Sequence, residues 1–337
     1  MTTSSHPLHL IDQASPQAHP TALALIASRG EPAVLLGNQQ LQHAAEVSGL
    51  VDATCLRVPA GSATWGLPVL RQFLRGVEPG RELHVWSLSC LTALKRLGRT
   101  SCTVMHMLTP LTPRQLQRMK RLDRSTLRWL VPGELLREQL IAQGFTPERI
   151  GLQTLPTLEQ AGAMLQHDRA SLRERWGVDD EMPVVALLSD PPTAAQAPSM
   201  MTGLNLVSLA ADRPLRLLVH PEQHGRSRTQ TLLDRYGEPD RFIQDTQIAT
   251  PWAVLRGCDA VMLSEQPAPL SVRYALAAGL PVVAPDLPLH REALAKAAEG
   301  QAHYALTAEP KRMADRLQHR ALGLPTHRFA YGSAHVG

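Results

Sequence analysis

Aromatic residues are scarce in this chain: Phe, Trp and Tyr together make up 4% of its 337 residues. Its cores must therefore be assembled from Leu, Val and Ala. Lysine is nearly absent as well. Of 34 basic residues, only Lys95, Lys120, Lys296 and Lys311 are lysines. The four cysteines, Cys55, Cys90, Cys102 and Cys258, form no CxxC pair. That spacing suits neither a zinc site nor a disulfide framework, so the expectation is buried free thiols in a reducing compartment. No G-x-G-x-x-G and no Walker glycine loop is present, which disfavours nicotinamide enzymes and P-loop NTPases. No apolar run approaches the length of a bilayer span, and the N-terminus MTTSSHPLHLIDQ has no basic region. A cytoplasmic protein is expected. Net charge is +4, too mild to argue for nucleic acid by itself.

What remains is ample for two cores, with 44% hydrophobic and 19% charged residues. Short apolar runs alternate with helical patterns. The first series is LHLI (8–11), AVLL (33–36), TCLRV (54–58), LHVWS (83–87), CTVM (102–105) and LRWLV (127–131). A second follows after SLRERWGV (171–178): PVVALLS (183–189), LRLLV (215–219), RFIQ (241–244), AVMLS (260–264) and PVVA (281–284). Such alternation predicts two doubly wound, Rossmann-like α/β domains facing across a cleft. We divide the chain into residues 1–157, 158–312 and a tail, 313–337. Ligand sites are then expected between the carboxyl edges of the two sheets.

One junction is informative in detail. ALAAGLPVVAPD (275–286) runs from small helix formers into Gly279, then Pro281, then a short β-branched strand ending at Asp286. Gly279 suits the left-handed position that closes a helix, and Pro281 is tolerated as a strand's first residue. Asp286 falls at the carboxyl end of its strand, where open parallel sheets bind ligands.

Together with LVPGELLREQLIAQGFTPERIGLQTLPTLE (130–159), RERWGV (173–178) and LRGCDAVMLSEQ (255–266), this junction resembles the GT-B glycosyltransferases, closest to the retaining, family 4-like group 1 transferases. The resemblance implies a nucleotide-sugar donor held by the second domain and an acceptor, whether saccharide, lipid-linked or protein, on the first. It also implies no bound metal and no separate cofactor. Positive side chains and a helix N-terminus are expected at the leaving diphosphate, where charge develops.

The family pairs two glutamates eight apart before the junction. Here the second position is Tyr274 and the first is Gln266, with Glu265 one residue away. By the resemblance, Glu265 and Gln266 would lie near the transferred sugar, and Tyr274 on the ribose. The family's phosphate-holding Arg and Lys are missing from LLSDPPTAAQAPSMM (187–201). His224 and Arg226, in VHPEQHGRSR (219–228), are the substitutes within reach of that role. In the first domain the family's strand histidines correspond to His84, with Trp86 at the second position, and to His106 on the next strand. The resemblance places His84 and Trp86 on the acceptor side and His106 near the reacting centre.

A basic run, Arg114, Arg118, Lys120, Arg121, Arg124 and Arg128, interleaves with Leu116, Met119 and Leu122. It reads as a solvated helix face or as a peripheral contact with anionic membrane. It has no aromatic interleaving of the kind that stacks nucleic-acid bases. The expected activity is metal-independent sugar transfer from a nucleotide-sugar. The alternative is a GT-B-fold protein that has lost turnover and acts as a binding subunit. A third candidate, a sugar-nucleotide epimerase of the same fold, would need an acidic cluster in the cleft, and the sequence shows none.

Overall fold

The computed structural model describes residues 6–13, 19–58, 62–107, 113–122, 126–165, 167–188, 207, 214–219, 242–243, 245, 251–264, 269–295, 297–305 and 310–324. Seven strands form the first sheet: β1 (Leu8–Asp12), β2 (Ala33–Gly37), β3 (Ala53–Arg57), β4 (Leu83–Val85), β5 (Thr103–His106), β6 (Arg128–Val131) and β7 (Ile150–Leu152). Their order is β3-β2-β1-β4-β5-β6-β7. Six more form the second: β8 (Val184–Leu188), β9 (Arg216–Leu218), β10 (Phe242–Ile243), β11 (Ala260–Leu263), β12 (Val282–Pro285) and β13 (Ala302–Ala305). Their order, β10-β9-β8-β11-β12-β13, repeats that of the first six strands. All pairings are parallel. Two doubly wound domains therefore lie in series. Each reverses strand order once, at β1/β4 and at β8/β11, and such reversals open a crevice at the carboxyl ends.

Helices of the first domain are α1 (His19–Arg29), α2 (Gln39–Val47), α3 (Leu67–Arg75), α4 (Leu88–Arg96), α5 (Pro113–Leu122) and α6 (Glu134–Ala142). Two linking helices follow, α7 (Leu158–Ala163) and α8 (Arg169–Trp176). The second domain shows α9 (Pro269–Ala277), α10 (Pro288–Leu294) and α11 (Pro310–Arg316). Among the described residues no helix is long and apolar enough to cross a membrane.

Successive side chains of the first sheet turn to opposite faces, both of them buried on the inner strands. Leu8, Leu10, Val85, Met105 and Trp129 face a core shared with α3, α4 and α6. Ile11, Ala33, Leu35 and Trp86 face the other way, toward α1 and α2. That second cluster does not stop at the domain boundary. It continues through Ala161 of α7 into Val184, Ala186, Val261 and Val282 of the second sheet. A third cluster covers the far face of the second sheet with Met313 and Ala314 of α11.

Several sequence expectations change here. β13 escaped the reading because His303 and Tyr304 interrupt its apolar pattern. The basic run divides: α5 carries Arg114 to Arg121, whereas Arg128 stands on β6 and pairs with Glu82. Buried thiols hold for Cys90 and Cys258, while Cys55 is exposed on the edge strand β3. At the other edge of regularity, Gly279 closes α9 at φ 73°, as the junction reading required.

The second domain is pinned by one buried cation. Arg173 of α8 is 2% exposed. Its guanidinium donates to the carbonyls of Gly257, Asp179 and Met182 and to Asp259 Oδ2. Asp259 Oδ2 also accepts from Val184 N at 2.7 Å. One side chain thus ties α8, the entry to β8 and the entry to β11. Replacing Arg173 by Ala strands three carbonyls and takes one cation from Asp259, which keeps Arg169 at 2.6 Å and the Val184 N–H. We expect a loss of about 3 kcal/mol or more, read from the urea midpoint. An unchanged midpoint would refute this role.

Candidate functional site

Both switch points open on the same side of their sheets, but part of that edge is not on view. Glu265, Gln266, His224 and Arg226 lie outside the described residues, as does 189–200. Three other groups can be built from the residues upward.

The first is a set of imidazoles on the α1 face of the first sheet. His9 and His84 are direct register partners in the β1/β4 pair. His84 pairs Val104 of β5, and His106 stands two residues further on, so all three rings leave the sheet on one side. They are 0%, 6% and 2% exposed. His84 Nδ1 lies 2.8 Å from His106 Nε2. His84 Nε2 reaches Glu82 Oε1 at 2.5 Å, and His9 Nε2 reaches Glu31 Oε2 at 2.7 Å. Trp86 stacks on His106 with centroids 3.8 Å apart and donates its indole N–H to His9 Nδ1 at 3.0 Å. Gln153, just past β7, presents Oε1 to His106 Nδ1 at 3.4 Å. Burial pushes all three imidazoles below the usual histidine range, His106 furthest, with His84 adding to its shift. The fold brings His84, Trp86 and His106 together on one face of the sheet, all three buried. His9 was not foreseen; its signal was a lone histidine inside the apolar run LHLI. None of the four opens broadly to solvent.

The second group is the α9–β12 junction. Tyr274 is 1% exposed, stacked on Trp252 with centroids 5.3 Å apart, and its hydroxyl points to Met164 Sδ at 3.1 Å. It supports α9 from the core side. Asp286 forms a two-pronged pair with Arg291, at 2.5 and 2.8 Å. That partner holds its carboxyl below the usual range.

The third group lies between the domains. A cavity of about 320 Å³ is walled by Pro132, Gly133 and Leu155 on one side and by Pro269, Arg273 and Glu292 on the other. Pro269 begins α9, so the helix N-terminus borders the cavity. Glu292 of α10 accepts from Glu134 N at 2.5 Å and Leu135 N at 3.4 Å, capping α6 from the opposite domain. α6 has Gly133 as its N-cap residue and so no capping side chain of its own. A Cβ there would come within 2.6 Å of the Glu292 carboxylate. The glycine is what admits the clasp. Arg273 has no hydrogen-bond or ion-pair partner among the described residues; no motif position marks it in the sequence, where Tyr274 is its neighbour.

Two outcomes follow from this arrangement. Unfolded histidines titrate near 6.5, and the folded cluster titrates lower. The unfolded state therefore binds more protons as pH falls, so stability present above about 6.5 is lost progressively below it. Denaturation midpoints should drop from pH 7.5 to 5.5, and less steeply in His106→Asn. A flat profile would exclude buried neutral histidines. Tyr274→Ala should cost about 3–5 kcal/mol as a cavity mutation; a wild-type melting curve would place the ring outside the core.

No family model and no curated protein matches this sequence. Solved structures do. HepE (Alr3699) of Anabaena, in complex with UDP-glucose, is 16% identical with a TM-score of 0.65, over 91% of this chain and 87% of that one. UDP-GlcNAc 2-epimerase of Methanocaldococcus jannaschii, in complex with UDP-GlcNAc and UDP, is 12% identical with a TM-score of 0.61, over 94% and 92%. A glycosyltransferase of Rickettsia africae is 10% identical with a TM-score of 0.57, over 95% and 93%. The likeness spans both domains and the joint between them, and the chain has the GT-B fold of two Rossmann-like domains that these proteins share.

Proposed function

We propose that this chain binds a nucleoside diphosphate sugar between its domains and transfers the sugar to a second molecule without a bridging metal. The observation that carries this reading is the interdomain cavity, with the N-terminus of α9 and Arg273, which has no hydrogen-bond or ion-pair partner among the described residues, on its wall. Neighbours of the same fold were solved with UDP-glucose and with UDP-GlcNAc and UDP. As the bond from sugar to phosphate breaks, negative charge builds on the departing diphosphate. Free backbone N–H groups at a helix start suit that anion, and Arg273 adds a forked cation where 187–201 has none. His224 and Arg226 remain further cations for the phosphates. Glu265 and Gln266, immediately before α9, are assigned to the sugar. The acceptor is assigned to the first domain, on the side of His84 and Trp86, and His106 to the reacting centre.

A second reading, binding without turnover, is favoured by one fact: LLSDPPTAAQAPSMM (187–201) holds neither Arg nor Lys. Calorimetric titration with UDP, GDP, ADP and their sugar conjugates, with proton NMR on the mixtures, separates the two. We expect one nucleotide to bind at micromolar strength, and Arg273→Gln to weaken it at least about tenfold, the scale of one charged hydrogen bond. Transfer also requires consumption of the sugar conjugate once an acceptor is supplied. Binding with no consumption selects the second reading, an inverted sugar centre selects an epimerase, and silence across the panel overturns nucleotide binding altogether.

A further inference from the structure

We infer that His9, His84 and His106 form a binding site for a single borderline transition-metal ion, of the zinc, nickel or copper kind, inside the first domain. One nitrogen from each of the three rings lies within 4.8 Å of those from the other two. The nitrogens that face away are each held by an acceptor. His9 Nε2 meets Glu31, His84 Nε2 meets Glu82, and His106 Nδ1 meets Gln153 Oε1. Metal-ligating histidines are oriented in this way, with the outer N–H given to a carboxylate or a carbonyl.

The outer bonds decide where the inner protons are. If Glu82 takes the proton on His84 Nε2, then His84 Nδ1 carries a lone pair. If Gln153 Oε1 takes the proton on His106 Nδ1, then His106 Nε2 carries a lone pair too. These two atoms lie 2.8 Å apart. Two lone pairs at that distance repel unless a cation lies between or beside them. A proton is one candidate, but both rings are shut away from water, at 6% and 2% exposed, and an imidazolium is costly in such a place. A metal ion with nitrogen bonds of about 2.0–2.1 Å is the other, and it needs the pair to open by only about half an ångström. Nitrogen-only donors exclude magnesium and calcium and select the borderline metals.

Two groups tune the site. Trp86 donates its indole N–H to His9 Nδ1, so loading exchanges that hydrogen bond for a metal bond. The Gln153 amide sets the tautomer. As placed it offers oxygen, and its Nε2 is buried with no partner among the described residues. Turned over, it would donate to His106 Nδ1, and His106 Nε2–H would donate to His84. That closed chain satisfies every nitrogen without metal and is the competing state.

The test uses the untagged full chain, stripped with a chelator and titrated with zinc by calorimetry and with cobalt by visible absorption. We expect one saturable equivalent and a cobalt spectrum of nitrogen ligation. His84→Gln and His106→Gln should each weaken binding at least tenfold, while His43→Ala, exposed on α2, should not. Trp86→Phe removes the competing donor and should tighten binding several-fold. No saturable uptake by the wild-type chain, or uptake unaltered in His84→Gln, would overturn the site in favour of the closed chain. Should the glutamine variants fail to fold, the wild-type cobalt spectrum and the Trp86→Phe shift decide it alone.

Discussion

Both sheets are parallel throughout their described strands, and a parallel sheet is covered on both faces. Any polar side chain that leaves such a strand must therefore find its partners inside the protein. This constraint draws polar groups into sets, although Trp129 Nε1 on β6 is buried without a partner among the described residues. On β1, β4 and β5 the rings of His9, His84 and His106 are met by Glu31, Glu82, Gln153 and Trp86. Two of those carboxylates are in turn met by arginines, Arg29 at 3.8 Å from Glu31 and Arg128 on Glu82. The chain of partners ends only where solvent begins, at Arg128.

The same constraint operates where the domains join. An apolar cluster continues from the α1 face into the second sheet, so the domains are coupled by burial, which is not directional. Direction comes from polar contacts. Glu292 caps α6 across the boundary, and the absence of a Cβ at Gly133 lets its carboxylate reach the backbone. Within the second domain, Arg173 satisfies three loop carbonyls and Asp259 at once. A charge this deep is tolerated only when its donors are used, and here they are.

Eleven of the thirteen strands follow from the alternation of apolar runs with helical patterns, because a buried parallel strand is a nearly continuous apolar word. β13 broke that rule: as an edge strand it needs only partial burial, and AHYA reads as a loop. The site was less legible. His84, Trp86 and His106 were singled out by resemblance, but their association with His9 depends on strand order, which periodicity does not encode. Tyr274 matched a motif position by register, yet register along a chain does not say which way a helical side chain faces. Its indole neighbour Trp252 comes from another element, the short helical turn Pro251–Gly257.

That last point bears on the missing positive charge. Successive residues on an α-helix point about 100° apart. With Tyr274 turned into the core against Trp252, Arg273 is turned out of it, onto the wall of the interdomain cavity. Tyr274 therefore sits beside a residue that brings positive charge to the same helix, about one turn from its N-terminus. Among the described residues the carboxylate on that cavity's wall is Glu292, and it is already committed to the N–H groups of α6. Its negative charge is partly answered there by the helix dipole. That 187–201 holds no Arg or Lys does not by itself make a cleft without positive charge, because a helix elsewhere in the chain can supply it.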